Sequence, residues 1–150
     1  MDFKGRMCTL YPISWQGAVL PPNRPIPCDL AAAVASFEGG LVNALRAARL
    51  DPRLPVPGSP DTGIVIRPQV VLVDPGVPIQ PLNMFSQENK VVFEVEGLIG
   101  DASGPFGQFH AQGATQGSLA RQDPQQLFVR AAGKAAKKAA KQILARVATR

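Results

Sequence analysis

The sequence predicts an α+β domain: a small antiparallel sheet with two helices packed on one face. Two long segments place apolar residues at steps of three and four, which is the helical period. The stretches between them are rich in β-branched residues or alternate apolar with polar ones, which is typical of strands. Fifteen prolines, clustered between the elements, predict stiff Pro-rich loops. With 45% apolar and 18% charged residues, a 150-residue chain forms a core rather than a disordered coil.

The first helix divides the chain into two regions. Residues 1–29 are interpreted as an irregular N-terminal segment with one short strand around Arg6–Tyr11, and residues 30–150 as a single domain. Gly39 and Gly40 lie in the middle of the helix and indicate either close packing against a neighbour or a kink. The helix spans 30–49 and carries one apolar stripe of Leu30, Val34, Phe37, Leu41, Leu45 and Ala48.

A Pro-rich loop over 51–61 leads to the first long strand. Residues 63–76 are dominated by β-branched side chains with both faces largely apolar, which indicates a strand covered on both sides. Pro68 interrupts this run. Because proline donates no ladder hydrogen bond, Pro68 predicts an edge strand or a bulge.

The next two strands form an antiparallel hairpin. Residues 90–101 alternate, with Val91, Phe93, Val95 and Ile99 facing one way. The glycine-rich GDASGPFG, residues 100–107, does not open a helix, so it lacks the context of a phosphate-binding loop and is interpreted as the turn. Residues 107–117 return as the second strand.

The last helix is amphipathic and strongly basic. Residues 129–150 hold seven basic residues and no acidic one, whereas residues 1–128 hold nine basic and eleven acidic residues, so the net charge of +5 comes from this helix. Asp123-Pro124 is a favourable start. The apolar face is predicted to contain Phe128, Ala132, Ala135, Ala139, Ile143 and Val147. The opposite stripe contains Arg130, Lys134, Lys137, Lys138 and Lys141.

Three interpretations of this helix differ in function. Apolar residues at this spacing favour a helix that packs on the sheet, where alanines permit close approach, and leaves a solvated basic back. A membrane-surface helix normally carries bulkier apolar residues. A nucleic-acid arm is compatible with the Lys-Ala repeats, but aromatic residues are not interleaved with them. The basic stripe is therefore a candidate anion-binding surface on a core helix.

Candidate catalytic and metal-binding residues are few. His110 is the single histidine and falls on a strand, where an exposed or hydrogen-bonded role is expected rather than that of a base. Asp101 and Glu96 could form a carboxylate pair, but they flank a turn. Cys8 and Cys28 lack metal-ligand spacing and are either a disulfide or two free thiols. We expect no catalytic residue, no metal and no cofactor.

The hairpin and last helix carry a family resemblance. LIGDASGPFGQFHAQGATQG followed by LFVRAAGKAAKKAAKQILARVA resembles small bacterial envelope lipoprotein domains. These include uncharacterised lipoprotein families, the N-terminal domain of TolB and the curli-secretion lipoprotein. Asp101, Ser103 and Gly104 match the turn, Gly113 and Gly117 the glycines of the returning strand, and 131–145 the Ala-rich helix. SFEGGLVNALRAARLDPRLPV is similar to their first helix, which leads into a strand, and the resemblance spans roughly 36–148.

This resemblance implies a non-enzymatic structural or interaction protein of the bacterial cell envelope, with a role in assembly or scaffolding. It implies a periplasmic or outer-membrane-associated location, although the N-terminus MDFKGRMCTLYP has no signal-peptide core and a cytoplasmic location stays open. Expected partners are other envelope proteins, or copies of the chain that pair at a sheet edge near Pro68. The alternative is a binder of anionic polymers or membrane surfaces through the basic stripe. No specific small-molecule ligand is implied.

Overall fold

The computed structural model describes residues 2–15, 18, 30–61, 63–74, 88–118 and 124–150. Two helices and five strands make up an α+β fold, as the sequence predicted. In chain order the elements are β1 (Arg6–Leu10), α1 (Leu30–Ala47), β2 (Leu50–Arg53), β3 (Ile64–Asp74), β4 (Glu88–Asp101), β5 (Gly104–Ser118) and α2 (Pro124–Ala148).

The five strands form one mixed sheet in the order β2-β1-β3-β4-β5. β3, β4 and β5 are antiparallel, as expected, but β1 pairs in parallel with both β2 and β3. The family resemblance implied a strand after the first helix, whereas Pro52 and its proline neighbours indicated a loop where β2 lies. β1 confirms the short strand predicted around Arg6–Tyr11, and it lies inside the sheet between β2 and β3.

Pro68 lies in a central strand, and the predicted edge position is wrong. On one side Pro68 is opposite Gly97 of β4. On the other side the chain after β1 continues along β3, where the Ser14 N–H donates to the Pro68 carbonyl over 3.2 Å and the Val70 N–H donates to the Ser14 carbonyl over 2.7 Å. The predicted irregularity is present nearby as a register shift between Val70 and Leu72.

Both helices pack on the same face of the sheet, and the core lies between the layers. The rings of Phe37 on α1 and Phe93 on β4 lie 6.1 Å apart. A Cβ on Gly40 would stand 3.1 Å from the Ala136 Cβ, so close helix packing explains this glycine, and α1 is one continuous helix. All six residues predicted for the apolar face of α2 are at most 2% exposed.

α2 lies very close to β5 because small residues meet on both sides. A Cβ on Gly113 would stand 1.8 Å from the Ala131 carbonyl oxygen and 2.6 Å from the Ala135 nitrogen. Only a residue without a side chain fits there. α2 is therefore an integral part of the core, as its amphipathic pattern predicted. Among the described helices, none has the length and apolar character required to cross a membrane.

Candidate interaction surfaces

The free edge of β5 is covered by side chains of α2. The amide oxygen of Gln142 accepts the His110 N–H over 2.9 Å, and its Nε2 donates to the His110 carbonyl over 2.7 Å. Lys138 Nζ donates to the Gln112 carbonyl over 2.9 Å, and Lys134 Nζ donates to the Ala114 carbonyl over 3.2 Å. These bonds occupy backbone groups that an added strand would need.

The spacing of these side chains matches that of the strand. Lys134, Lys138 and Gln142 follow one another at steps of four, which advance about 6.0 Å along a helix. Their partners on β5 follow at steps of two, which advance about 6.8 Å along a strand. The two repeats are similar enough for three consecutive side chains of α2 to reach three consecutive outward-facing groups of β5. We call this set the edge ladder.

The edge ladder divides the predicted anion-binding stripe into two parts. All five residues of the stripe are exposed. Lys134 and Lys138 are committed to β5, whereas Arg130, Lys137 and Lys141 have no hydrogen bond or ion pair in the part of the chain that the structure describes. On a helix with 100° per residue these three fall within about 40° of one another. We call them the outer stripe.

The second surface is the sheet face that the helices leave uncovered, here called the open face. Alternate residues of β3, β4 and β5 point to it. Leu98, 47% exposed, is its most exposed large apolar side chain on β4, and Met7 on β1 is 41% exposed. A groove of about 690 Å³ crosses this face and reaches α2. Its lining includes Arg67, Gln69, Glu96, Leu98, Gln108, His110 and Arg146.

A cluster of Tyr11, Asp61 and Arg67 lies beside this groove. The Tyr11 hydroxyl donates to the Asp61 carboxylate over 2.7 Å, and the Arg67 guanidinium lies 3.8 Å above the Tyr11 ring and 3.4 Å from the same carboxylate. The hydrogen bond to Asp61 raises the pKa of Tyr11, burial adds to the increase, and Arg67 opposes it. Arg67 is held in place by this cluster and presents a fixed cation to the open face.

The acidic residues of the open face are partnered within the sheet. Glu94 accepts from Nε2 of His110, and Glu96 accepts from Gln69 over 2.6 Å. The His110 side chain is 57% exposed, so it is the exposed, hydrogen-bonded strand residue that the sequence indicated. Glu96 and Asp101 do not bond to each other, so the carboxylate pair considered from the sequence is not formed.

Asp101 organises the predicted hairpin turn between β4 and β5. Its carboxylate accepts the Ser103 N–H over 2.9 Å and pairs with Arg150 over 3.0 Å. The Ser103 N–H, and then Arg150, hold the pKa of Asp101 below its usual value. Gly104 closes the turn with a φ of 117°, which favours glycine. This confirms a hairpin turn within GDASGPFG, where Ala102 and Ser103 lie between the two strands, and Asp101 has a structural role there.

Cys8 is a buried thiol at 1% exposure. Burial, and secondarily the charge of Asp51, raises the pKa of this thiol to about 11. Cys28 lies outside the described residues, so a disulfide between the two stays a prediction. Within the described ranges, no cluster of three or more His, Cys, Asp or Glu side chains could hold a metal ion.

The sequence did not single out the open face or the edge ladder. Leu98 shares the side of β4 with Glu94 and Glu96, and this apolar residue on a polar side was the available signal. For the edge ladder the signal was the run of Lys134, Lys138 and Gln142 at steps of four. Such a run looks like any solvated helix side until the neighbouring strand is known.

No protein-family model matches the chain, and no curated protein sequence matches it. Solved structures share its fold. Protein XCC0632 (DUF330) from Xanthomonas campestris aligns with a TM-score of 0.60 at 9% identity, covering 99% of this chain and 87% of that one. A minor lipoprotein from Acinetobacter baumannii aligns with a TM-score of 0.54 at 18% identity, covering 93% of each chain. A variant of the PelC dodecamer from Paraburkholderia phytofirmans aligns with a TM-score of 0.50 at 17% identity, covering 97% of this chain and 91% of that one.

The fold that the sequence and structure define is thus shared with small bacterial lipoproteins. The resemblance indicated by the hairpin and the Ala-rich helix is confirmed at this level. At 9–18% identity these similarities establish the fold of the chain and not its activity.

Proposed function

We propose that this chain is a non-enzymatic structural or interaction protein of the bacterial cell envelope, located in the periplasm or at the outer membrane. The observation that carries the proposal is the open face, where Leu98 and Met7 stay exposed although the other side of the same sheet is fully packed. In the groove the polar side chains of Arg67, Gln69, Glu96 and His110 surround Leu98, and an apolar residue with a polar surround is typical of a protein-binding surface. The fold shared with a minor lipoprotein supports the location.

The open face replaces the sheet edge as the proposed contact surface. The edge ladder covers β5, and β2 at the opposite edge is four residues long and contains Pro52. Short or covered edges disfavour pairing with an added strand. Partners in this proposal are other envelope proteins or further copies of the chain, and the dodecamer formed by the fold neighbour PelC supports the second kind.

Site-specific photocrosslinking in the native cells tests this proposal. A photoreactive phenylalanine analogue replaces Leu98, and a matched chain carries it at Leu54, which is 73% exposed in the loop after β2. We expect discrete adducts with envelope proteins or with a second copy from position 98 and none from position 54. Equal adducts from both positions, or recovery of the chain from the cytosol alone, would contradict the proposal.

A second candidate function is binding to an anionic polymer or membrane surface. The outer stripe favours it, because three exposed cations lie in line without a partner in the described part of the chain. Binding of this kind weakens steeply with salt. Lys137→Gln should reduce the salt dependence of binding to DNA or to anionic vesicles by about one charge, whereas Lys90→Gln on β4 should leave it unchanged. Absence of binding at about 50 mM salt would remove this candidate.

A further inference from the structure

The two layers of the fold carry opposite charge. α1 and α2 together contain seven Lys or Arg residues and one carboxylate, whereas the five strands contain six carboxylates and four Lys or Arg residues. The single carboxylate of the helices, Glu38, accepts the Ile13 N–H and gives the outer stripe no counter-charge. One molecule thus has a basic outer surface on its helices and an opposite surface on which Glu94 and Glu96 lie on β4, with Arg67 on β3 and Lys90 near one end of β4.

The outer stripe and the open face also match in spacing. Lys137 and Lys141 are four residues apart on a helix, about 6.0 Å along its axis. Glu94 and Glu96 are two residues apart on the open face of β4, about 6.8 Å along the strand. The chain already uses this match internally, because the edge ladder joins side chains of α2 at steps of four to alternate residues of β5.

We propose that the open face binds the outer stripe of a second copy of this chain, so that copies associate head to tail. The proposal rests on the proposed function and names one partner for the open face. Lys137 and Lys141 of one copy contact Glu94 and Glu96 of the next. The incoming helix runs antiparallel to β4. In this direction its Arg130 lies toward Asp101 of the receiving copy and away from Lys90 of that copy.

The geometry of this contact determines the kind of assembly. The two surfaces are different and lie on opposite sides of the molecule, so the contact is heterologous and repeats into a ring or an open chain. Exposed ion pairs contribute little individually. The aliphatic parts of the basic side chains must therefore also cover Leu98. Association should weaken with salt and with loss of the Leu98 side chain.

A charge exchange tests the contact. The helix variant carries Lys137→Glu and Lys141→Glu, and the sheet variant carries Glu94→Lys and Glu96→Lys. Sedimentation at low salt should show assemblies of the wild-type chain and monomers of each variant. An equimolar mixture should assemble again, because the acidic helix of one variant then contacts the basic sheet face of the other. Leu98→Ala, which leaves every charge in place, should weaken association by about tenfold. The control is Arg46→Glu with Lys4→Glu, two exposed cations outside both surfaces, which should assemble like wild type.

Urea unfolding of each variant shows that the fold is retained. The inference is overturned if the wild-type chain stays monomeric at every concentration, if the variants assemble unmixed, or if the mixture stays monomeric. Binding of the outer stripe to anionic vesicles without self-association overturns it as well. The proposed function is tested separately by crosslinking from position 98. If the inference fails and the proposed function holds, the adducts from this position contain other envelope proteins and no second copy of the chain.

Discussion

Two glycines placed differently around α2 give a sharp test of the packing. Gly113→Ala places a methyl group 1.8 Å from the Ala131 carbonyl oxygen and 2.6 Å from the Ala135 nitrogen. Carbon–oxygen contacts ordinarily begin at about 3.3 Å, so α2 must move away by about 1.5 Å or distort. Overpacking of a core usually costs 1–3 kcal/mol. Since both clashing atoms are backbone, we expect a loss of about 3 kcal/mol, a large part of the 5–15 kcal/mol typical of a domain.

The matched variant is Gly133→Ala, which adds the same methyl group inside α2. Its nearest neighbour would be the Ser36 Oγ at 4.0 Å, an ordinary contact. Here the alanine should stabilise the protein by about 0.8–1 kcal/mol through helix propensity. Urea unfolding followed by circular dichroism measures both changes. If Gly113→Ala costs less than about 1 kcal/mol, or if both substitutions shift stability in the same direction, the close contact between α2 and β5 is refuted.

Three further outcomes can be checked with the same unfolding assay. Gln142→Ala should cost about 1 kcal/mol and increase aggregation, because the backbone of β5 loses two hydrogen bonds, whereas Gln126→Ala at an exposed position of the same helix should change neither. In a Cys28→Ser chain, Cys8 should resist thiol reagents until unfolding. Stability should fall between pH 9.0 and about 11, since the unfolded thiol ionises first, and Cys8→Ala should reduce this fall, part of which also comes from Tyr11 because its pKa is likewise raised in the fold. Thr115→Val should stabilise by about 1 kcal/mol, because the buried Thr115 hydroxyl finds no partner among the described residues; an unchanged or lower stability would contradict this.

The helices and the antiparallel strands could be predicted because their patterns are local. Phe128 to Val147 repeat at the helical period, and the predicted apolar face of α2 is buried throughout. The hairpin of β4 and β5 follows from alternation on both sides of one turn. Such signals depend on residues that are close in sequence, so they need no knowledge of the rest of the fold.

The parallel part of the sheet could not be predicted in the same way. β1 and β2 are five and four residues long, and their pairing joins segments separated by more than 40 residues. Pro52 and Pro68 gave the opposite signal, since proline disfavours interior strand positions. Pro68 is accommodated because the neighbouring segment uses only its carbonyl, which accepts the Ser14 N–H. No hydrogen bond at this position requires an N–H from Pro68. That compensation is visible only in three dimensions.

The arrangement of α2 decides which of its cations can take part in function. Its inner face fills the core, the side toward β5 carries the edge ladder, and the side chains of the outer stripe are free of internal bonds in the described structure. A charge-reversing substitution at Lys134 or Lys138 would remove a hydrogen bond that α2 donates to β5, so a change in binding could not be separated from a change in stability. Reversal of Lys137 and Lys141 changes the same total charge without that cost. Comparison of these two pairs therefore separates the structural role of the basic residues from a role in recognition.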